Sequence, residues 1–114
     1  MAKTWVKLIE AREAQLGVDT VARMAKIFIE DSKSQLETIA GAVAHQNLAT
    51  ARAAAHDLVA NSGSLCFVLL REVANDVEQA CIRNDRVNVL TLAKGLGPLV
   101  DICLVQLRDR YKLT

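Results

Sequence analysis

The sequence predicts an all-α fold: an antiparallel, up-and-down four-helix bundle with a short extra helix at the N-terminus. Three observations carry this. Apolar residues recur at three- and four-residue spacing along most of the 114 residues, and no sustained apolar–polar alternation marks a strand. The breaks between periodic stretches are short, which makes consecutive helices antiparallel neighbours. Hydrophobic residues make up 52% of the chain but aromatics only 4%, so alanine, leucine and valine do the packing, as suits helices meeting at close range. This length supports one hydrophobic core, hence a single domain over residues 1–114.

Each element follows in order. Thr4 to about Leu16 reads as a first helix with Trp5, Leu8, Ile9 and Leu16 on its apolar side, broken by Gly17-Val18. Asp19 is expected to cap a long second helix running to about Ala44. Its stripe is Val21, Met24, Phe28, Leu36, Ile39 and Val43, and Ser32 and Gly41 are small enough to permit close helix contact. His45-Gln46-Asn47 is a connector, with Asn47 as N-cap of the third helix. That helix carries His56 and ends or bends between Gly63 and Phe67. A fourth runs from about Val68 to Arg83 with Leu70, Val73, Val77 and Cys81 inward. Asn84-Asp85 turns the chain into a last helix reaching about Tyr111. Gly95-Leu96-Gly97-Pro98 kinks or briefly breaks it, and Leu99, Val100, Cys103, Leu107 and Tyr111 continue its buried stripe.

The bulk numbers exclude several classes of function. A formal net charge of +1 leaves no basic field for nucleic acid or an acidic membrane. Cys66, Cys81 and Cys103 are widely spaced and odd in number, which fits reduced helix residues rather than a disulfide framework or a zinc site. The N-terminus lacks the apolar core of a signal peptide. The greasiest tract, Leu96 to Leu107, is interrupted by Pro98 and Asp101 and is too short to span a bilayer. A soluble cytoplasmic protein is expected. There is no glycine-rich phosphate loop, no His-Glu-x-x-His pair and no serine–histidine–acid set. His45 and His56 would stand about 16 Å apart even on one continuous helix, too far to share a metal, so no metal site is expected.

The candidate site is His56. On a helical wheel Leu48, Ala51, Ala55, Leu58, Ser62 and Leu65 form one face, the buried one, and His56 points roughly 120° away from its centre. Around it stand Ala49, Arg52, Ala53, Ala60 and Gly63, all small except Arg52, with Val59 at the border of the buried face. Gly63 sits in helix where nothing local needs φ > 0, at a cost of about 1 kcal/mol relative to alanine. Its missing side chain makes sense if something approaches closely. Spacing alone leaves two readings: a solvated helix histidine, or a reactive imidazole kept uncrowded for a large partner. His45 reads as a solvated connector residue.

The run His56-Asp57-Leu58-Val59-Ala60-Asn61-Ser62-Gly63-Ser64-Leu65-Cys66 resembles the signature of histidine-containing phosphotransfer (HPt) domains, His-x-Leu-Lys-Gly-x-(Ser/Ala)-x-x-(aliphatic)-Gly. The approach to it is also similar to the family's lead-in, from Ile27-Phe28-Ile29-Glu30-Asp31-Ser32 through Leu36 and Ile39 to Ala51-Arg52-Ala53-Ala54-Ala55. The likeness runs from about Val18 to the last helix. Three positions depart: Val59 for lysine, Ala60 for glycine and Cys66 for glycine.

The resemblance implies a helical bundle that accepts a phosphoryl group on His56 from a receiver-domain aspartate and passes it to another receiver. No kinase activity of its own is implied. The chain itself would bind no cofactor, Mg²⁺ being held by the receiver. The partners implied are receiver domains of hybrid sensor kinases and response regulators, met by a monomer through Ala49, Arg52, Ala53, Val59, Ala60 and Gly63. An imidazole of ordinary pKa is mostly uncharged at neutral pH and offers one lone pair, and the nitrogen farther from the backbone reaches furthest. A lysine at 59 would lean back toward His56 and neutralise bound phosphate. Valine cannot, which predicts slower transfer or a shorter-lived phosphohistidine. Two other readings stand beside this one. The bundle could dock receivers without transferring phosphate, or it could be a structural adaptor whose binding face lies elsewhere, for example on the Arg71-Glu72 side of the fourth helix.

Overall fold

The structure, a computed structural model, describes residues 2–113, with side chains from Thr4 onward. It is all-α. Six helices follow one another: α1 (Ala2–Leu16), α2 (Val18–Ala44), α3 (Leu48–Ser64), α4 (Val68–Ile82), α5 (Arg86–Ala93) and α6 (Leu96–Tyr111). The body measures 41 × 23 × 20 Å, a rod whose length is that of α2 alone, since its 27 residues extend about 40 Å at the α-helical rise.

Three of the connectors are built alike. Gln46, Cys66 and Asn84 each take a left-handed conformation with φ of 56°, 64° and 57°. The next residue then donates its amide back to the preceding helix: Asn47 to Ala42, Phe67 to Ser62 and Asp85 to Ala80, at 2.8–2.9 Å. This satisfies carbonyls that the helix end leaves free. Asn47 caps α3 through a bond from the Thr50 amide, as its side chain predicts, and Asp85 caps α5 in the same way through Asn88. At the start of α2 the sequence-based expectation fails. The N-cap is Gly17, with φ 90°, and Asp19 lies inside the first turn. A positive φ favours glycine, and an acid in a first turn still interacts well with the helix dipole. Gly41 is exposed, with nothing within 4 Å of where a Cβ would stand, so it serves no close helix contact.

The last apolar stretch is broken rather than kinked. Lys94 and Gly95 separate α5 from α6, and Pro98 falls in the first turn of α6, where its missing N–H costs no helical bond. Residues Arg86–Tyr111 together have the length and composition of a membrane-crossing segment. As two helices of 8 and 16 residues, neither reaches the roughly 20 residues that spanning requires.

The core explains where α3 sits. Ala51, Ala54, Ala55 and Leu58 are buried, and small side chains let α3 lie close between α2 and α4, against which it packs. Its outer face remains open. One end is fixed by Trp5, whose indole N–H donates to the Leu65 carbonyl at 2.9 Å and whose ring stacks on Phe67 at 5.3 Å. Phe67 in turn meets Phe28 at 5.6 Å, so α1 is tied to the turn that follows α3.

The other end of α1 is tied to α6. Glu13 accepts both Arg110 Nη2 at 2.7 Å and Arg110 Nε at 3.0 Å, and the Tyr111 hydroxyl donates to it at 2.7 Å. The bond from Arg110 holds the Glu13 carboxyl below its ordinary pKa despite burial. Burial and the Glu13 carboxylate push the Tyr111 phenol up to about 12. A depressed carboxyl contributes stability above its unfolded pKa and loses it as pH falls through the folded value. A raised phenol contributes below about pH 10 and loses that contribution as pH rises toward 12. Glu13→Gln should therefore cost about 1–3 kcal/mol at pH 7. Its denaturation midpoint should converge on that of the wild type as pH drops below about 4, a convergence that urea titrations across pH would show.

Candidate functional site

His56 projects from the open face of α3 with 67% of its side chain exposed. Apart from Arg52, no bulky residue of α3 flanks it. Ala49, Ala53 and Ala60 are exposed, Val59 is half-buried and packs against the core, and Gly63 is half-buried. His45 is exposed at the C-cap of α2, on the connector.

The sequence reading did not anticipate what holds the ring. Nδ1 of His56 stands 2.8 Å from Oε2 of Glu78 on α4. Glu78 is 10% exposed at its side chain, whereas the imidazole is largely open. An ionised carboxylate can only accept, so the proton of the neutral ring belongs on Nδ1. Nε2 then carries the lone pair. The buried acid thus fixes both tautomer and orientation of an exposed imidazole. A signal for it existed in the sequence: Glu78 sits in the inward stripe of α4 beside Val77 and Cys81, and a lone acid at a core position requires a partner.

A second cross-helix contact sets the register. A Cβ added to Gly63 would stand 3.2 Å from Cδ of Arg71. Gly63 lies seven residues beyond His56 on α3, and Arg71 lies seven before Glu78 on α4. The two helices therefore run in opposite directions with matched rows. The space left by Gly63 is occupied by this chain's own Arg71, not held vacant. Arg52 is exposed one turn before His56. Burial raises the pKa of the Cys81 thiol on α4 and the Glu78 carboxylate raises it further, while Arg52 lowers it. Cys66, where the signature has glycine, is the left-handed residue of the α3–α4 turn, which gives glycine at that position a conformational reason. Here the thiol compensates in part by donating to the Leu8 carbonyl at 3.6 Å. Among the described residues, no group of three or more His, Cys, Asp or Glu side chains could hold a metal ion.

The family model of the Hpt domain matches residues 23–110, a span that takes in α3, α4, His56 and Glu78. The chain belongs to the Hpt domain family. Hpt domains carry phosphoryl groups on histidine in phosphorelays and interact with receiver domains. No curated protein and no solved structure matches the chain. For an Hpt domain the arrangement around His56 is chemically coherent. Among the described residues Nε2 makes no hydrogen bond, Nδ1 is held, and the surrounding alanines leave the ring uncrowded.

Proposed function

We propose that this chain is a phosphorelay intermediate in which His56 takes a phosphoryl group from one receiver aspartate and gives it to another. The observation that carries the reading is an exposed imidazole held through Nδ1 by a buried carboxylate. Nε2 attacks phosphorus in line, the bond to the aspartate oxygen breaks, and the carboxylate leaves with the bonding pair. The proton on Nδ1 stays in place, and Glu78 offsets the positive charge that develops on the ring. Transfer through a loose transition state asks for positioning and charge neutralisation more than covalent help. The receiver would supply the aspartate and Mg²⁺, with none bound by this chain. Donor and acceptor would dock on Ala49, Arg52, Ala53, Val59, Ala60 and Gly63, over an up-and-down arrangement of the four long helices, with the chain acting as a cytoplasmic monomer. Mixing the protein with phosphorylated receiver should yield acid-labile, base-stable phosphate on the wild type. Its absence with every receiver of the cell would refute the reading.

Val59 sharpens it. A lysine there could lay its stem over the same core edge and lift its ammonium toward His56. A partly exposed ion pair is worth about 0.5–1 kcal/mol. Val59→Lys should therefore raise the transfer rate or the phosphohistidine lifetime by a factor of about two to five, read by the decay of label after the receiver is removed.

A further inference from the structure

Arg71 is an exposed residue of α4. Among the described residues its guanidinium makes no hydrogen bond or ion pair. No acid stands one turn away from it: the positions three and four residues along are Ala74 and Asn75 in one direction and Val68 and the N-cap Phe67 in the other. Across the interface lies Gly63, with neighbours Ala60 and Ser64 one turn and one residue away. Its Cδ stands 3.2 Å from where a Cβ of Gly63 would be, so its stem lies over the one position of α3 without a Cβ. An exposed cation is thereby seated on the row of α3 that carries His56.

We propose that Arg71 is a docking residue that binds a carboxylate on the surface of the incoming receiver domain. The inference rests on the phosphorelay reading and adds the residue that selects the partner. A role on the phosphoryl group itself does not fit. Gly63 is about 10 Å along the helix from His56, and the imidazole tilts toward the N-terminal end of α3, away from Arg71. A carboxylate fits the planar fork of a guanidinium with two parallel bonds, and a stem already laid on glycine loses little freedom when they form. Arg71 and Arg52 would then grip the partner on either side of His56, each at a distance from the reacting atoms.

The test uses the full chain and a receiver domain that phosphorylates the wild type. Arg71→Ala should weaken receiver affinity about tenfold and flatten the dependence of affinity on salt, with the transfer rate at saturating receiver within about twofold of the wild type. Arg71→Lys should recover part of the affinity, and Arg71→Glu should bind more weakly than alanine. Unchanged affinity and salt dependence in Arg71→Ala would overturn the proposal while leaving the phosphorelay reading intact. So would a fall in the saturating rate at unchanged affinity, which would assign Arg71 to the chemistry. A wild type that accepts phosphate from no receiver would remove the phosphorelay reading, and this inference with it.

Discussion

His56→Gln is expected to accept no phosphoryl label from any phosphorylated receiver, while still binding receivers with nearly wild-type affinity. The first half follows from the chemistry. A carboxamide has no lone pair of comparable nucleophilicity, and the other histidine, His45, stands on the α2–α3 connector rather than on the open face of α3. The second half follows from the packing. His56 is largely exposed, so its replacement disturbs no core residue, and the flanking alanines, Arg52 and Arg71 remain where α3 and α4 hold them. Glutamine can still donate to Glu78, which spares the buried carboxylate from losing its partner. The measurement is paired: label by gel after acid and base treatment, and receiver affinity by calorimetry. A variant that binds normally and still supports regulation in the cell would point to the docking-only module. Loss of label with binding retained, and regulation lost, matches a relay in which the imidazole is the carrier.

How much of this was legible in the sequence differs from helix to helix. The exposure of His56 could be read because it depends on one periodicity only, that of α3, whose buried face of Ala51, Ala55, Leu58, Ser62 and Leu65 is unambiguous. Asn47 as a cap was equally local. Glu78, and the placement of Arg71 against α3, escaped because they depend on the register between two helices. That register is fixed by the α3–α4 turn and the left-handed Cys66, and a turn one residue longer would rotate different α4 residues toward His56. Gly63 illustrates the same limit. The sequence suggested a close approach to the glycine but could not say that Arg71 of the next helix is what arrives. At Gly17 the difficulty was conformational, since a capping aspartate two residues on is the commoner signal, and only the observed φ of 90° reveals which residue begins α2.

Removing the Glu78 carboxylate should uncouple catalysis from stability. With Glu78→Ala the imidazole loses the acceptor that fixes its proton on Nδ1 and the negative charge that offsets the ring as Nε2 becomes bonded to phosphorus. A charge-assisted hydrogen bond is worth about 1.5–3 kcal/mol, so the transfer rate at saturating receiver should fall about ten- to hundredfold. Receiver affinity should hardly move, because Glu78 is 10% exposed and lies beneath the ring rather than beside the partner. Glu78→Gln keeps an acceptor of the same shape without the charge and should fall between the two. Stability is expected to run the other way. A carboxylate at a core position is costly unless fully compensated, and here its one hydrogen bond goes to a side chain that water can reach. Both variants should therefore keep or raise the thermal midpoint while losing rate. A purely structural Glu78 requires the opposite, a lower midpoint with an unchanged rate, so thermal melts run beside single-turnover transfer separate a positioning group from a packing one.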